Sequence, residues 1–167
     1  MNLDFIFQTQ IKLDEEILKS VDKDEKDLEY KKIIALLVEL GEFANEVKTF
    51  KYWKKHRDIN YEAMLEEYAD GIHFLTSIAY HNDVNSDIKI IVKDNDFNRQ
   101  LGFAYIAFAK LFKKRNKKNI QNAFGIYLGL GQLVNISYDD ILSSYIKKTR
   151  KTICALKIIT KILKLAT

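Results

Sequence analysis

Two groups of acidic residues are the first feature of this sequence that could do chemistry. Glu39, Glu42 and Glu46 follow the apolar run IIALLV, and at this spacing they share one face of a helix. An ionised carboxylate left unpaired in apolar surroundings costs on the order of several kcal/mol. We therefore expect a cation beside Glu39.

A second acidic pair, Glu67 and Asp70 in LEEYADGIHF, has the same i, i+3 spacing. One such pair is ordinary on an exposed helix. The chain between the two groups, however, is long enough for a turn and an antiparallel return helix, which would place Glu39 and Glu42 opposite Glu67 and Asp70. Four facing carboxylates repel one another unless cations lie between them. Ligands that are all oxygen favour Mg²⁺ or Mn²⁺, and magnesium usually shares its coordination with substrate phosphates.

The composition indicates one globular domain spanning residues 1–167. Hydrophobic residues make up 47% and charged residues 30% of the chain. Cys154 is the only cysteine, so an intramolecular disulfide is impossible and a thiolate zinc site is not expected. We expect a cytoplasmic protein, since no signal peptide and no membrane-spanning apolar run is recognisable. The net charge of +4 suits an anionic small molecule as well as nucleic acid.

Hydrophobic periodicity predicts an all-α bundle of five or six helices. The absence of proline, with only six glycines, favours long helices. Asn60 is a predicted N-cap, and Ser137 with the two aspartates that follow it is a predicted helix start. The predicted helices are 3–20, 28–50, 61–81, 95–114, 119–134 and 138–164.

Some details of the helices stay open at this point. The segment IKIIVKD (88–94) reads as a short strand without a partner, a loop or a helix extension. The core-facing residues predicted for the first two helices are Phe5, Ile6, Ile11, Leu13, Ile17 and Leu18, then Leu28, Ile34, Leu37 and Leu40.

In their surroundings, the two acidic motifs resemble those of a known family. ELGEFANEVKTFKYW followed by LEEYADGIHF is similar to the dimeric dUTPases of the all-α nucleoside triphosphate pyrophosphatase superfamily, more than to its MazG-type members. FQTQIKLDEEI resembles the first helix of that family, and FGIYLGLGQL and SYDDILSSY resemble later ones. The resemblance implies Mg²⁺-dependent hydrolysis of dUTP, and also of dUDP, to dUMP by a homodimer.

The resemblance also implies roles for the acidic residues. Glu39, Glu42, Glu67 and Asp70 would hold two or more metal ions that bridge the substrate phosphates. The catalytic candidates are the first pair, Glu39 and Glu42, with Glu42 as the general base for the attacking water.

Several residues are candidates for substrate contacts, each with an alternative. Gln10 would read the uracil edge or be a surface amide. Lys51 and Lys54 would reach phosphates or be solvated. Trp53 is expected in the core, with a lid over the substrate as the alternative. Asn45 would bind the sugar or orient a ligand carboxylate.

His73 and Phe74 lie one turn beyond Asp70 on the same predicted helix. For His73 we expect a hydrogen-bonded core residue, with a ligand role as the alternative. For Phe74 we expect packing, with stacking on a base as the alternative.

The sequence departs from the family in its last helix. Tyr145 and Lys148 match the phosphate-gripping motif, but Thr152 and Ala155 stand where asparagine and arginine are expected. Loss of a bidentate charged contact removes roughly 1.5–3 kcal/mol. Three cations from neighbouring turns are possible substitutes: Arg150, Lys151 and Lys157.

The departure leaves three outcomes: a weaker phosphate grip, another nucleotide preference, or a relative that binds without turnover. The intact acidic motifs argue against the last. The alternatives to dUTP hydrolysis are therefore a house-cleaning pyrophosphatase for other nucleoside triphosphates and a non-catalytic helical protein that binds nucleotides or nucleic acid.

Nucleic-acid binding is not the expected function of the basic runs KKRNKK and YIKKTRK, since no aromatic residues interleave the first of them. For the homodimer, the apolar surface is expected on FGIYLGLGQL and LGFAYIAFAKLF. The glycines at 125, 129 and 131 are expected to permit close helix contact.

Overall fold

The computed structural model describes residues 1–21 and 26–165, with side chains up to Leu156. Its described residues form six helices and no named strand, apart from one isolated bridge between Asn2 and Asp87. The predicted all-α bundle is confirmed. The helices are α1 (Asp4–Leu18), α2 (Leu28–Val47), α3 (Tyr61–His81), α4 (Phe97–Lys113), α5 (Lys117–Leu133) and α6 (Tyr138–Leu165). Within this described part, no helix is long and apolar enough to cross a membrane.

Both predicted helix starts are confirmed. The Asn60 side chain accepts a hydrogen bond from the Ala63 backbone N–H at 3.2 Å, which caps α3. Ser137 and Asp140 cap α6 reciprocally: Ser137 Oγ accepts from the Asp140 N–H at 3.1 Å, and Asp140 Oδ2 accepts from the Ser137 N–H at 2.9 Å. These caps set where the two helices that carry most of the site begin.

The buried face of α1 differs from the predicted one. Gln10 and Asp14 are buried, together with Ile6, because α1 turns its polar residues toward α3 and α6. The apolar pattern alone does not predict which face of α1 is buried, since the buried polar groups form hydrogen bonds with residues that are distant in sequence. The predicted core residues that are exposed are Phe5, Ile11 and Leu18.

The second helix also presents a different stripe to the core. Ile33, Leu36 and Leu40 are fully buried, whereas Ile34 is exposed, contrary to the prediction. Tyr30, Ile34 and Val38 form an exposed apolar row one turn apart. The helix ends at Val47, before the predicted end, because Lys48 adopts a left-handed conformation with φ of 65°.

A pair of tyrosines holds α3 against α5 beside the acidic residues. Tyr68 and Tyr127 stack with ring centroids 4.7 Å apart. Each hydroxyl donates to the other residue's backbone carbonyl, at 3.1 Å from Tyr68 and 3.0 Å from Tyr127. Tyr68 lies between Glu67 and Asp70 in the sequence and is fully buried, so its stacked and hydrogen-bonded pairing with Tyr127 restricts rotation of the part of α3 that carries those two acids.

The segment 88–94 is a loop packed on α5. Ile91 donates its N–H to the Gly125 carbonyl at 2.9 Å. A Cβ on Gly125 would lie 2.4 Å from the Lys89 carbonyl oxygen, and one on Gly129 2.2 Å from that of Ile91. The glycines therefore permit close contact as predicted, but at these two positions the nearest neighbour is the backbone of the loop, with Gln100 of α4 also close to Gly129.

The apolar surface expected on α5 is not exposed, whereas that expected on α4 is exposed in part. Residues 123–131 of α5 are buried inside the chain, because the loop 88–94 and the other helices cover them. On α4, in contrast, Phe103, Tyr105 and Ile106 remain exposed.

Candidate metal centre and substrate site

Three carboxylates from two helices converge on one point. Glu39 of α2 and Glu67 and Asp70 of α3 each offer an oxygen, and these oxygens lie within 4.8 Å of one another. The i, i+3 spacing on α3 and the packing of α2 against it bring the acids together. The centre is part-buried, with Asp70 the least accessible of the three.

Glu42 lies at the exposed edge of this centre. It does not belong to the group of three oxygens, but its carboxylate contacts that of Glu67. It is exposed, one turn along α2 from Glu39. Of the four predicted ligands, Glu42 is therefore the one best placed to meet solvent.

The carboxyl groups resist ionisation at this centre. Burial, followed by repulsion from Asp70 and Glu42, raises the pKa of Glu39 to about 7. Burial, followed by repulsion from Glu42, raises the pKa of Glu67 to about 7. Burial also raises the pKa of Asp70, against the opposing effect of Lys148. Burial and mutual repulsion thus make it costly for all of these carboxyl groups to be ionised together.

One lysine partly compensates that charge. Lys148 of α6 donates a hydrogen bond to Asp70 Oδ2, and its Nζ lies 3.7 Å from Glu66 Oε1. Lys151, one turn further along α6, reaches the same Glu66 oxygen at 3.0 Å. A groove of about 160 Å³ runs between α3 and α6 at this place, lined among others by Glu66, Ser143, Ser144, Lys147, Lys148 and Lys151.

The donor set fits a hard divalent cation. Glu39 Oε2 is buried and has no hydrogen-bond partner, which is costly for a carboxylate oxygen. The three converging groups supply oxygen only, as magnesium and manganese prefer. A cation bound at this point would be a partner for Glu39 Oε2, which has none within the protein.

At the two positions of α6 where the family carries asparagine and arginine, this chain offers no group that could replace the arginine. Thr152 donates its hydroxyl to the Lys148 carbonyl at 3.1 Å, and Ala155 is exposed. Arg150 is exposed, and the side chain of Lys157 lies outside the described residues. Among the predicted substitutes that the structure describes, only Lys151 lies in the groove beside Lys148.

Gln10 is held in a buried network, so the surface-amide alternative is wrong. Its Oε1 accepts from Tyr145 Oη at 2.6 Å and from His73 Nδ1 at 2.8 Å, and its Nε2 donates to Asp14 Oδ1 at 2.6 Å. Tyr145 is fully buried, and its hydroxyl points to Gln10 rather than to the acidic centre. In the structure Tyr145 therefore holds the Gln10 side chain in place.

His73 and Phe74 both take the packed positions expected of them. The His73 ring stacks on Tyr145 with centroids 3.8 Å apart, and burial lowers the pKa of His73 to about 4. Its Nε2 is buried without a hydrogen-bond partner. Phe74 is partly buried and packs against the core.

Asp14 is a buried residue that the sequence analysis missed. Besides Gln10, it accepts from the hydroxyls of Ser77 and Tyr80, the latter at 2.8 Å, and forms an ion pair with Lys32 at 4.0 Å. It stands in the acidic segment LDEEIL, whose composition is typical of a solvated helix face. The available signal was its i+4 spacing from Gln10, which places both on one face of α1.

The segment after α2 carries the remaining candidates. Lys51 Nζ donates to Asn45, including its carbonyl oxygen at 3.0 Å, so these two residues are paired with each other. Trp53 is 61% exposed, so the core prediction is wrong. Its ring forms T-shaped pairs with Phe50, at a centroid distance of 6.0 Å, and with Tyr52, at 5.2 Å. Lys54 is exposed.

The fold and site define an all-α protein with an acidic centre suited to divalent ions and the phosphates they accompany. Residues 2–153 match the family model described as dUTPase, which covers most of the chain. The chain therefore belongs to the dUTPase family, and the resemblance drawn from its motifs is confirmed. Membership implies a hydrolase that acts on dUTP, in a family that generally uses a divalent metal. Comparison with curated proteins gives no match.

Proposed function

We propose that this chain is a Mg²⁺-dependent diphosphatase that converts dUTP, and also dUDP, to dUMP. The observation that carries the proposal is the convergence of Glu39, Glu67 and Asp70 with an unpartnered buried oxygen on Glu39. Membership of the dUTPase family supports dUTP as the nucleotide substrate.

The acidic residues divide the work between holding metal and moving a proton. Glu39, Glu67 and Asp70 would hold Mg²⁺, with Mn²⁺ also suited to the same oxygens, and Glu42 would complete the site from its edge. Bound there, the metal supplies charge neutralisation for the phosphates and the leaving group. Glu42 takes the proton of the attacking water, because it is exposed and stands outside the three converging oxygens. Glu39 assists from one turn away on the same face of α2.

Lys148 is the cation best placed to meet a substrate phosphate. It already lies against Asp70, where phosphate oxygens would arrive with the metal. Lys151 extends the positive charge along the groove between α3 and α6, where its pairing with Glu66 is solvent-accessible and therefore weak.

The remaining candidates would surround the rest of the nucleotide. Asn45, Lys51, Trp53 and Lys54 belong to the end of α2 and the segment that follows it, and we assign them to the sugar and phosphate side, with the exposed Trp53 as a cover. Gln10, His73 and Phe74 belong to the base side.

The same proposal includes a homodimer formed through α2 and α4. The exposed row Tyr30, Ile34 and Val38 on α2 continues onto α4, because Tyr30 contacts Phe112 with ring centroids 4.6 Å apart. Ile106 on α4 is 67% exposed. A second copy would cover this apolar face.

A house-cleaning pyrophosphatase for other nucleotides is the second candidate. It is favoured by Thr152, whose hydroxyl is committed to the Lys148 carbonyl, and by Ala155, which has no polar group for a phosphate. A different grip on the phosphates would go with a different preferred nucleotide.

The test is a nucleotide panel with a matched pair of variants. With Mg²⁺ the protein should release dUMP from dUTP and dUDP, and EDTA should abolish the reaction. Glu39→Gln should lower kcat by about 10²–10³-fold, while Glu62→Gln, a change on α3 outside the centre, should change it little. Preferential hydrolysis of another nucleotide would favour the second candidate, and hydrolysis of none would overturn both.

A further inference from the structure

The loop that joins α2 to α3 (residues 48–60) combines positive charge with exposed aromatic rings. Its segment FKYWKKHR, residues 50–57, interleaves three aromatic residues with four lysines and arginines, and Lys48 adds a fifth cation. No acidic residue occurs between Glu46 and Asp58. Aromatic residues of this kind are what the basic run KKRNKK lacks. The α2–α3 loop therefore offers both groups that single-stranded nucleic acids need, rings for the bases and cations for the phosphates.

Hydrogen bonds at its two ends hold the α2–α3 loop in place. Arg57 Nη1 donates to the Thr49 carbonyl at 3.2 Å, and Lys48 Nζ donates to the Asp58 carbonyl at 2.6 Å. Thr49 Oγ1 in turn donates to Asn98 Oδ1 of α4 at 2.8 Å. The tip between these ends is thus presented by the fold, which lowers the ordering cost of binding a ligand there.

The ring of Tyr52 is available for stacking. Tyr52 is 85% exposed, although it neighbours the Trp53 ring at a centroid distance of 5.2 Å. The two rings meet edge to face, with an angle of 88° between their planes, so they do not cover each other as a stacked pair would. A flat apolar group such as a nucleic-acid base can therefore lie on the Tyr52 ring.

The cations beside Tyr52 carry uncompensated charge. Lys55 and Arg57 are exposed, and within the part of the chain that the structure describes no carboxylate forms an ion pair with either of them. The lysines of α6 differ, since Lys148 and Lys151 are both paired with Glu66. Although one Arg57 nitrogen is committed to Thr49, the guanidinium has further N–H donors for a phosphate. An anionic partner would therefore meet cations that have no acid to leave.

We propose that Tyr52, Lys55 and Arg57 form a binding site for single-stranded nucleic acid. Tyr52 stacks on a base, and the two cations contact the neighbouring phosphates. The site goes beyond the proposed function, which uses Lys51, Trp53 and Lys54 of the same loop. Duplex DNA does not fit the Tyr52 ring, because its bases already stack on one another.

The composition of the α2–α3 loop favours nucleic acid over a lipid surface. Proteins that lie on a bilayer generally bury the apolar face of an amphipathic helix in it. Residues 48–58 form no helix and contain no aliphatic residue, so the loop offers no such face.

The direct measurement is a titration of fluorescein-labelled oligo(dT), about 12 nucleotides long, with the intact protein. Fluorescence anisotropy gives the affinity, and quenching of Trp53 locates the contact, since Trp53 is the only tryptophan of the chain. We expect saturable binding at physiological salt that weakens as salt is added, and no such binding of a duplex of equal length. Saturating dUMP should not displace the oligonucleotide, because Tyr52, Lys55 and Arg57 lie outside the proposed nucleotide site.

Matched variants separate stacking from charge. Tyr52→Ala should weaken oligo(dT) binding by about 5- to 100-fold, the value of one stacked base, whereas Tyr52→Phe keeps the ring and should bind as the unmodified chain does. Lys55→Gln should weaken binding and reduce the slope of log affinity against log salt by about one. Lys117→Gln removes the same charge at an exposed position of KKRNKK and should change neither quantity.

Several outcomes would overturn the inference. These are the absence of saturable oligo(dT) binding, equal binding of the duplex, displacement by dUMP, an unchanged affinity of Tyr52→Ala, or equal effects of Lys55→Gln and Lys117→Gln. A blue shift of Trp53 emission with phosphatidylserine vesicles, without oligo(dT) binding, would assign the loop to lipid instead. No step of the test needs hydrolysis, so its result is independent of the proposed function.

Discussion

Lys148 on α6 donates a hydrogen bond to Asp70 on α3, and this contact makes a lysine the counter-ion of the acidic centre. The same carboxylate of Asp70 is a candidate ligand of the metal. A cation that binds there must compete with Lys148 for it. The lysine then becomes available for a phosphate.

Replacing this lysine should separate metal binding from substrate binding. In Lys148→Met, Mn²⁺ without nucleotide should bind about tenfold more tightly at pH 8, because a competing charged hydrogen bond to Asp70 is gone. The KM for dUTP should rise, since the phosphates lose a cation. Isothermal titration calorimetry and steady-state kinetics measure the two effects. Lys147→Met, which removes a lysine paired with Glu62, is the control; weaker Mn²⁺ binding by Lys148→Met would contradict the competition.

The stability of the metal-free protein should depend on pH in an unusual direction. Glu39 and Glu67 have a pKa raised from 4.5 to about 7 in the folded chain. A carboxyl that binds its proton more tightly when folded stabilises the protein at low pH and loses that contribution as the pH rises through this window. Carboxyls with a lowered pKa, such as Glu66, act below the window.

We therefore expect Tm in EDTA to fall between about pH 5 and pH 8, and Mg²⁺ to raise Tm more at the upper end than at the lower. Differential scanning fluorimetry across this range measures both. Glu39→Gln should flatten the EDTA profile and reduce the effect of Mg²⁺. A Tm in EDTA that increases steadily over the same range would show that the acids are not held together as described.

The tyrosine clasp between α3 and α5 should be sensitive to a single methyl group. A Cβ on Gly71 would lie 2.1 Å from Tyr127 Oη and 2.5 Å from its Cζ, and the ring is held by stacking and hydrogen bonding. Gly71→Ala should reduce the free energy of unfolding by about 1–3 kcal/mol, measured by urea denaturation. Gly102→Ala in α4 is the control, since its Cβ meets nothing within 4 Å. That change should be neutral or stabilise by up to about 1 kcal/mol.

A charge on the exposed α2 row should prevent dimer formation. Ile34→Asp places a carboxylate in the centre of the row Tyr30, Ile34 and Val38, where a second copy would bury it. Analytical ultracentrifugation should show a dimer for the unmodified chain and a monomer for the variant. Ile11→Asp, at an exposed isoleucine of α1, should leave the dimer intact. If both variants behave alike, the face between α2 and α4 is not the interface.

Local signals were enough for the helices and their caps. The absence of proline, the apolar periodicity and the capping residues Asn60 and Ser137 are properties of short segments. They predicted a bundle of five or six helices, with segments close to the observed ones. The convergence of the acidic motifs was also accessible, because i, i+3 spacing puts Glu67 and Asp70 on one helix face and a short connection returns the chain beside Glu39.

What only the tertiary structure decided is which face each helix turns inward and which polar groups meet there. Gln10, Asp14 and His73 are buried because α1, α3 and α6 supply one another's hydrogen bonds across long sequence distances. Trp53 is exposed although it is the largest apolar side chain, since the segment that carries it lies outside the bundle. Helix periodicity is a one-dimensional property, whereas the rotation of a helix depends on the partners it packs against.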